Sequence, residues 1–207
     1  ANEDTSGADS PHGMNTNNYL SYTALVARHY DAKYQCICKS GTGVTVSWHP
    51  LIMDELYNRL VPTHAESMWN FSLYQPEIVV LNLFQNDSWL VNFPEHKEFK
   101  KRFGATAPTD EYIVEAYQTL VSKIRSHYPQ ANIICTLGSM DAVKNGSKWR
   151  DFIELAVRKM KDQKIFTHYM PYNNSKGHPS ISDHQQMAMS LIKFIDQNIK
   201  WSANLKN

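Results

Sequence analysis

The strongest constraint on the fold is the alternation of continuous apolar runs with amphipathic helical patterns. The runs EIVVLNLF (77–84) and ANIICTLG (131–138) are apolar almost without interruption, as in strands that are buried on both faces. Apolar residues recur at helical spacing in TDEYIVEAYQTLVSKIRSHYP (109–129) and SKWRDFIELAVRKMKDQ (147–163). This alternation predicts an α/β fold with a mainly parallel sheet.

Shorter segments extend the pattern to the element order αβαβαβαβα. We predict helices at 18–30, 51–60 and 182–199 and strands at 34–40 and 164–170, and Thr109 should cap the long helix. Residues 1–16 are polar and rich in Gly, Ser, Asn and Asp, which predicts a loop. The expected fold is one domain with a three-layer α/β/α sandwich around a flavodoxin-like, mainly parallel sheet.

The composition excludes several classes of partner. The chain of 207 residues has 21 Lys and Arg against 20 Asp and Glu, so neither nucleic acid nor an anionic membrane is an expected partner. No apolar run approaches the roughly 18 residues of a membrane span. Three cysteines lie in apolar runs and are expected to serve as small buried hydrophobes. Neither a metal nor an organic cofactor is implied.

The loops after the predicted strands carry the groups of an acyl-transfer site. In an α/β sheet these loops meet at the carboxyl edge, where ligands bind. They contain a turn with Gly41 and Gly43, the pair Asn86 and Asp87, and a histidine, His178, before the last helix. A glycine-rich turn and a side-chain amide can stabilise an oxyanion, and a histidine can act as a general base near neutral pH. A nucleophile is missing from this set.

Three sequence blocks carry a family resemblance. SGTGVT (40–45), NLFQND (82–87) and GHPSISDHQQMA (177–188) resemble the second, third and fifth blocks of the SGNH, or GDSL-like, hydrolases. With NNYLSYTALVAR and PLIMD, their order resembles the esterase domain of carbohydrate esterase family two, whose members remove acetyl groups from plant polysaccharides. The resemblance covers 17–201 and leaves 202–207 as a C-terminal tail.

The resemblance implies roles for three residues. The backbone N–H of Gly41 and the side-chain amide of Asn86 would form the oxyanion hole, with Gly43 as the alternative backbone donor, and His178 would be the base. The family's nucleophilic Ser ends the first strand of the sheet. Ser10, in GADSPHG, follows no apolar run and is not expected to be that nucleophile. We therefore expect the first strand and its Ser to lie outside the chain, which would begin just after that block.

Two departures from the family affect the expected site. Phe84 stands where the family's third block usually has Gly, which predicts a more crowded approach to Asn86. Ser175 stands where the fifth block usually has Asp, three residues before His178. His178 would then be oriented by a backbone carbonyl, which would make a catalytic dyad, or by a carboxylate elsewhere in the chain.

Tryptophan and histidine side chains leave further alternatives open. The loop 138–146 has no Trp where the resemblance leads us to expect sugar stacking. Trp89, Trp48 and Trp149 are the substitutes for that Trp, which the sequence does not rank, and Trp89 is taken as the candidate substrate contact. His184, next to Asp183, is expected on the helix surface or behind the site rather than in a metal centre, since no third ligand has a recognisable spacing.

These observations predict a serine esterase that removes O-acetyl groups from plant polysaccharide or oligosaccharide through an acyl-enzyme. One alternative is a non-catalytic carbohydrate-binding relative of the same fold, and another is a lipase or thioesterase of the superfamily. The resemblance also implies an appended β-sandwich domain upstream and a secreted or periplasmic bacterial protein. The substrate partner would be an acetylated carbohydrate.

Overall fold

A computed structural model describes residues 16–174 and 177–200. The predicted loop at 1–16, except its last residue, and the predicted tail at 202–207 lie outside the described residues, as do Ser10 and Ser175. The strands are β1 (Ile78–Asn82), β2 (Asn132–Leu137) and β3 (Ile165–Tyr169). The α-helices are α1 (Tyr22–His29), α2 (Met53–Leu56), α3 (Gln85–Leu90), α4 (Lys97–Phe103), α5 (Asp110–His127), α6 (Trp149–Met160) and α7 (Ile181–Asn198), with short 3₁₀ helices at Asn18–Leu20, Phe71–Leu73 and Asp141–Val143.

The three strands form a parallel sheet in the order β1-β2-β3. Ile78 lies opposite Asn132 in the first pair, and Ile133 lies opposite Ile165 in the second. The middle strand, β2, is buried at every position but its first, as its continuous apolar sequence predicts. The parallel strands with intervening helices confirm the predicted α/β class. The first strand, expected to lie outside the chain, stays a prediction, and no described residue pairs with the outer edge of β1.

The long helix α5 supplies much of the core that covers the sheet. Thr109 caps it as predicted, because its hydroxyl accepts a hydrogen bond from the Tyr112 N–H at 3.2 Å. Helix α6 packs against α5, β2 and β3. The buried faces of the two helices consist of Ile113, Val114, Tyr117, Leu120, Val121 and Ile124 on α5, and Trp149, Phe152, Ile153 and Ala156 on α6.

The chain divides into two compact units. One is Cys36–Tyr169, which contains the sheet and the helices α2 to α6. The other comprises Ala1–Gln35 and Met170–Asn207, of which the described parts contain α1 and α7. Within this second unit α1 packs on α7, and the Tyr30 hydroxyl donates to Asp196 Oδ1 at 2.8 Å. No helix in the described part of the chain has the length and apolar character needed to cross a bilayer.

The strand predicted at 34–40 is absent from the structure. The segment lies outside every described strand and is exposed along its whole length. An apolar sequence becomes a strand only where a neighbour supplies the ladder hydrogen bonds, and no described strand does so here. Cys36 and Cys38 are consequently exposed, contrary to expectation, whereas Cys135 in β2 is buried as predicted.

The helix predicted at 51–60 is much shorter than its sequence pattern suggested. It is helical only at Met53–Leu56, because the following residues turn back on themselves. The Trp69 N–H donates to the Asn58 carbonyl at 2.8 Å, and Arg59 forms an antiparallel bridge with Met68. These local backbone pairings replace the hydrogen bonds that would have continued the helix.

Candidate active site

Gly41 is the third residue of a tight turn that follows the exposed segment. The Thr42 N–H donates to the Lys39 carbonyl at 3.2 Å and closes the turn. Gly41 has φ +80°, the left-handed conformation that a type II turn requires at this position. Among the described residues its own N–H has no hydrogen-bond acceptor. This backbone donor is therefore available to a ligand.

Gly43 has a different and purely structural use. Its N–H donates to Ser47 Oγ at 2.8 Å, so this donor is already engaged. A Cβ placed on Gly43 would lie 2.0 Å from the Val46 carbonyl oxygen and 2.6 Å from Asp87 Oδ2. Only glycine permits this approach. The comparison favours Gly41 over Gly43 as the oxyanion donor.

Asp87 is the buried anchor of the loop that follows Gly43. Its carboxylate accepts hydrogen bonds from the N–H groups of Val44 (2.9 Å), Thr45 (2.7 Å) and Val46 (3.3 Å), and from the Thr45 hydroxyl at 2.7 Å. Its side chain is inaccessible to solvent. Burial raises the pKa of the Asp87 carboxyl, while the hydrogen bonds from Thr45 and Val44 act in the opposite direction. The motif drew attention to Asp87, but the sequence offered no signal for this anchoring role.

Asn86 projects from the first turn of α3 toward the Gly41 turn. Its Nδ2 donates to the Thr42 carbonyl at 2.8 Å, and its Oδ1 accepts from the Trp48 indole N–H at 3.1 Å. The second N–H of the amide has no acceptor among the described residues. The structure thus brings Gly41 and Asn86 to one place, each with one N–H left for a ligand.

Phe84 caps α3 in the left-handed conformation, with φ +80°. Its ring is fully buried and packs against Tyr117 and Trp149, with ring centroids 4.7 and 5.0 Å away. The expected crowding of Asn86 is therefore wrong, because the side chain enters the core instead of the site. Burial of an aromatic ring compensates for a backbone conformation that favours glycine.

Phe84→Gly is expected to lower the free energy of unfolding by about 1–4 kcal/mol. Loss of a buried Phe ring costs about 3–5 kcal/mol, of which relief of the left-handed conformation returns about 1–2 kcal/mol. Phe84→Ala is the matched control, since it loses the ring and keeps the strain. Urea unfolding should show the Gly variant to be the more stable of the two, and the reverse order would contradict the assigned strain.

The tryptophans differ in their availability to a substrate. Trp149 is buried in the core and is thereby removed as a sugar contact. Trp89 is half-buried on α3, and its indole N–H donates to Asp141 Oδ2 at 3.2 Å. Trp48 is 41% exposed beside Asn86. Trp89 stays the predicted substrate contact. Trp48 is the tryptophan that forms hydrogen bonds with the two candidate oxyanion donors, Asn86 and Gly41.

His178 belongs to the other unit and lies in the loop before α7. Its side chain is exposed, two residues before Ser180, the N-cap residue of that helix. Asp183 fastens this loop: its carboxylate accepts from the Ser180 N–H and hydroxyl, both at 2.8 Å, and from the Asn173 amide. The cap was not predicted, although Ser followed three residues later by an acidic residue is its sequence signature.

His184 is part of the packing between α1 and α7. Its Nδ1 accepts a hydrogen bond from the Tyr22 N–H at 3.0 Å, and the two rings stack with centroids 5.9 Å apart. Burial lowers the pKa of His184 to about 4. In the described part of the chain no group of three His, Cys, Asp or Glu side chains could hold a metal ion.

The fold should lose stability as the pH falls from about 6.5 to about 4, through His184. In this pH range the histidine binds a proton in the unfolded state but not in the folded state. In the folded state Nδ1 of His184 must stay unprotonated to accept the Tyr22 N–H. Allowing for partial exposure, about 1 kcal/mol should be lost between pH 7 and pH 5. His184→Asn, which offers an oxygen acceptor that does not titrate, should show a smaller loss in urea unfolding. An equal loss in both proteins would contradict this assignment.

Nearly the whole chain is similar in sequence to known carbohydrate-active esterases. The chain is 33% identical to the cellulase/esterase CelE of Acetivibrio thermocellus, over 97% of this chain and 24% of that protein. It is 26% identical to an acetylxylan esterase / glucomannan deacetylase of Cellvibrio japonicus, over 87% of this chain and 49% of that protein. No protein-family model matches the sequence.

A solved structure extends the likeness to three dimensions. A family two carbohydrate esterase from Clostridium thermocellum, in complex with cellohexaose, superposes with a TM-score of 0.79 at 32% identity, over 97% of this chain and 61% of that one. This agreement confirms the predicted SGNH-type α/β fold. The chain spans between a quarter and half of the length of the curated relatives it matches.

Proposed function

The chain belongs to the SGNH, or GDSL-like, hydrolases, within carbohydrate esterase family two, and we propose that it is a serine esterase that removes O-acetyl groups from carbohydrate. The observation that carries this proposal is the pair of N–H groups, one on Gly41 and one on Asn86, that have no acceptor among the residues the structure describes. Two donors fixed by their neighbours are what a tetrahedral acyl intermediate needs where its oxyanion forms.

His178 is assigned the role of general base. It would take the proton from the attacking Ser hydroxyl, give it to the sugar oxygen that departs as the acyl C–O bond breaks, and then activate the water that hydrolyses the acyl-enzyme. The nucleophilic Ser is taken to end a further strand of the sheet and lies outside the described residues. A loop fastened by Asp183 supports the assignment, because a base must be held in one place to act.

The proposed substrate is an acetylated plant polysaccharide or a fragment of one. The named activities of the relatives, acetylxylan esterase and glucomannan deacetylase, and the cellohexaose bound to the related structure support a β-linked glycan. Trp89 is assigned a sugar-stacking role, which suits a partly exposed indole near the carboxyl end of β1. Such polymers lie outside the cell, so a secreted or periplasmic location follows for the proposed enzyme.

The test is acetate release by the natural protein that carries this chain. Acetylated xylo-oligosaccharide and acetylated glucomannan are compared with 4-nitrophenyl acetate and 4-nitrophenyl octanoate. An acetyl esterase should release acetate from a glycan and act poorly on the octanoate ester. Preference for octanoate would instead indicate a lipase or thioesterase, and glycan binding without hydrolysis would indicate a non-catalytic relative. Either result would overturn the proposal.

A further inference from the structure

We propose that Trp48 is a positioning residue that holds both oxyanion donors in one arrangement. This inference rests on the proposed function and adds a residue to the same site. Trp48 contacts the Asn86 amide through its indole and the Gly41 turn through its backbone, so that one residue links the two donors.

The first link determines which way the Asn86 amide faces. An indole N–H can only donate, and a backbone carbonyl can only accept. The Asn86 oxygen must therefore face Trp48 and the Asn86 nitrogen must face the Thr42 carbonyl, as the distances of 3.1 and 2.8 Å show. The opposite orientation would set an N–H against an N–H and two oxygens against each other. The direction of the remaining Asn86 N–H is thereby fixed.

The second link holds the Gly41 turn. The Trp48 backbone N–H donates to the Gly41 carbonyl at 2.9 Å. Trp48 also lies so close that a Cβ added to Gly41 would be 3.1 Å from the Trp48 Cβ. Because the turn is also closed from Thr42 to Lys39, Gly41 is constrained on both sides. The Gly41 N–H, which meets no acceptor in the described part of the chain, therefore keeps a fixed direction relative to the amide of Asn86.

Contacts around the indole keep it in this position. The Trp48 ring meets the His96 ring edge to face, with centroids 5.1 Å apart. The side chain is nevertheless 41% exposed, so its contribution to the core is small. An exposed indole whose N–H is used to orient a neighbouring amide suits a positioning role better than a packing role.

The test uses Trp48→Phe, which keeps an aromatic ring and removes the indole N–H. In the natural protein, kcat for 4-nitrophenyl acetate should fall about tenfold with KM unchanged, the effect of one oriented hydrogen bond in the transition state. In an Asn86→Ala background the same substitution should cause no further loss, because its effect acts through Asn86. Trp69→Phe, the same change at a tryptophan outside the site, is the control. A loss of equal size with and without Asn86 would overturn the inference.

A readout independent of activity separates this inference from the proposed function. In side-chain NMR spectra, the two Asn86 amide protons should move closer in shift and exchange faster with water in Trp48→Phe. In Asn86→Ala, which keeps Trp48, the Trp48 indole proton should exchange about tenfold faster, reflecting the loss of one hydrogen bond. If the variants show these NMR changes but the wild-type protein has no esterase activity, the proposed function is wrong and the positioning role of Trp48 stands. Unchanged amide and indole protons would overturn the inference whatever the activity.

Discussion

His178→Ala is expected to lower kcat for acetyl-ester hydrolysis by about 10²- to 10⁴-fold, the range for loss of a general base. Without an imidazole, the Ser hydroxyl has no nearby group to take its proton, and the leaving sugar has none to supply one. KM should change little, because the base contributes to the transition state more than to substrate binding. Steady-state kinetics with 4-nitrophenyl acetate and an acetylated oligosaccharide measure both quantities.

Controls for this variant follow from its exposure. Because His178 is exposed in a loop, its replacement should leave the thermal unfolding midpoint unchanged. His64→Ala, at another exposed loop histidine, should retain full activity. Added imidazole should restore part of the activity of the His178 variant by supplying the missing base. Retention of most of the activity in a folded His178→Ala protein would show that another group acts as the base.

The regular elements of the fold could be predicted because their signals are local. The apolar runs that became β1 and β2 and the helical spacing that became α5 each lie within one stretch of sequence. The prediction of a strand at 34–40 was wrong because strand formation is not a local property. The apolar pattern of this segment suits a strand, but strand formation depends on a partner that no single segment specifies.

The candidate site also has some features that follow from local sequence and others that depend on contacts between distant segments. The residue types in the loops were sufficient to indicate Gly41, Asn86 and His178, whose roles remain predictions. The choice between Gly41 and Gly43, however, depends on a hydrogen bond from Gly43 to Ser47. The hydrogen bond from the Trp48 indole to Asn86 joins residues 38 positions apart, so no local sequence pattern indicates it. Tertiary contacts, rather than the residues alone, assign each glycine and tryptophan its use.

The buried carboxylate of Asp87 is the clearest contact of this kind, and Asp87→Ala is expected to destabilise the protein by about 4 kcal/mol or more. The substitution leaves three backbone N–H groups and the Thr45 hydroxyl without their acceptor in a site closed to solvent. Natural domains have about 5–15 kcal/mol of stability in total, so a loss of this size brings the variant close to unfolding. Urea unfolding with a two-state fit measures it.

A series of variants at this site separates lost hydrogen bonds from lost volume. Asp87→Asn has the same shape and keeps one oxygen acceptor, so it should cost about 1–3 kcal/mol, and Thr45→Val, which removes only the hydroxyl donor, about 1 kcal/mol. The cost should therefore rise with the number of donors left unpaired. Equal losses for the Ala and Asn variants would show that the charge of Asp87, and not its set of acceptors, holds the loop.

The same series links stability to the proposed catalysis. Asp87 fixes residues 44–46, which lie between the Gly41 turn and Trp48, and Gly43 packs against its carboxylate. A loosened loop would release both oxyanion donors from their arrangement. Asp87→Asn should accordingly reduce kcat even at temperatures where it is fully folded, whereas Thr45→Val should reduce it less. Full activity in a folded Asp87→Asn protein would mean that the Gly41 turn keeps its shape without this anchor.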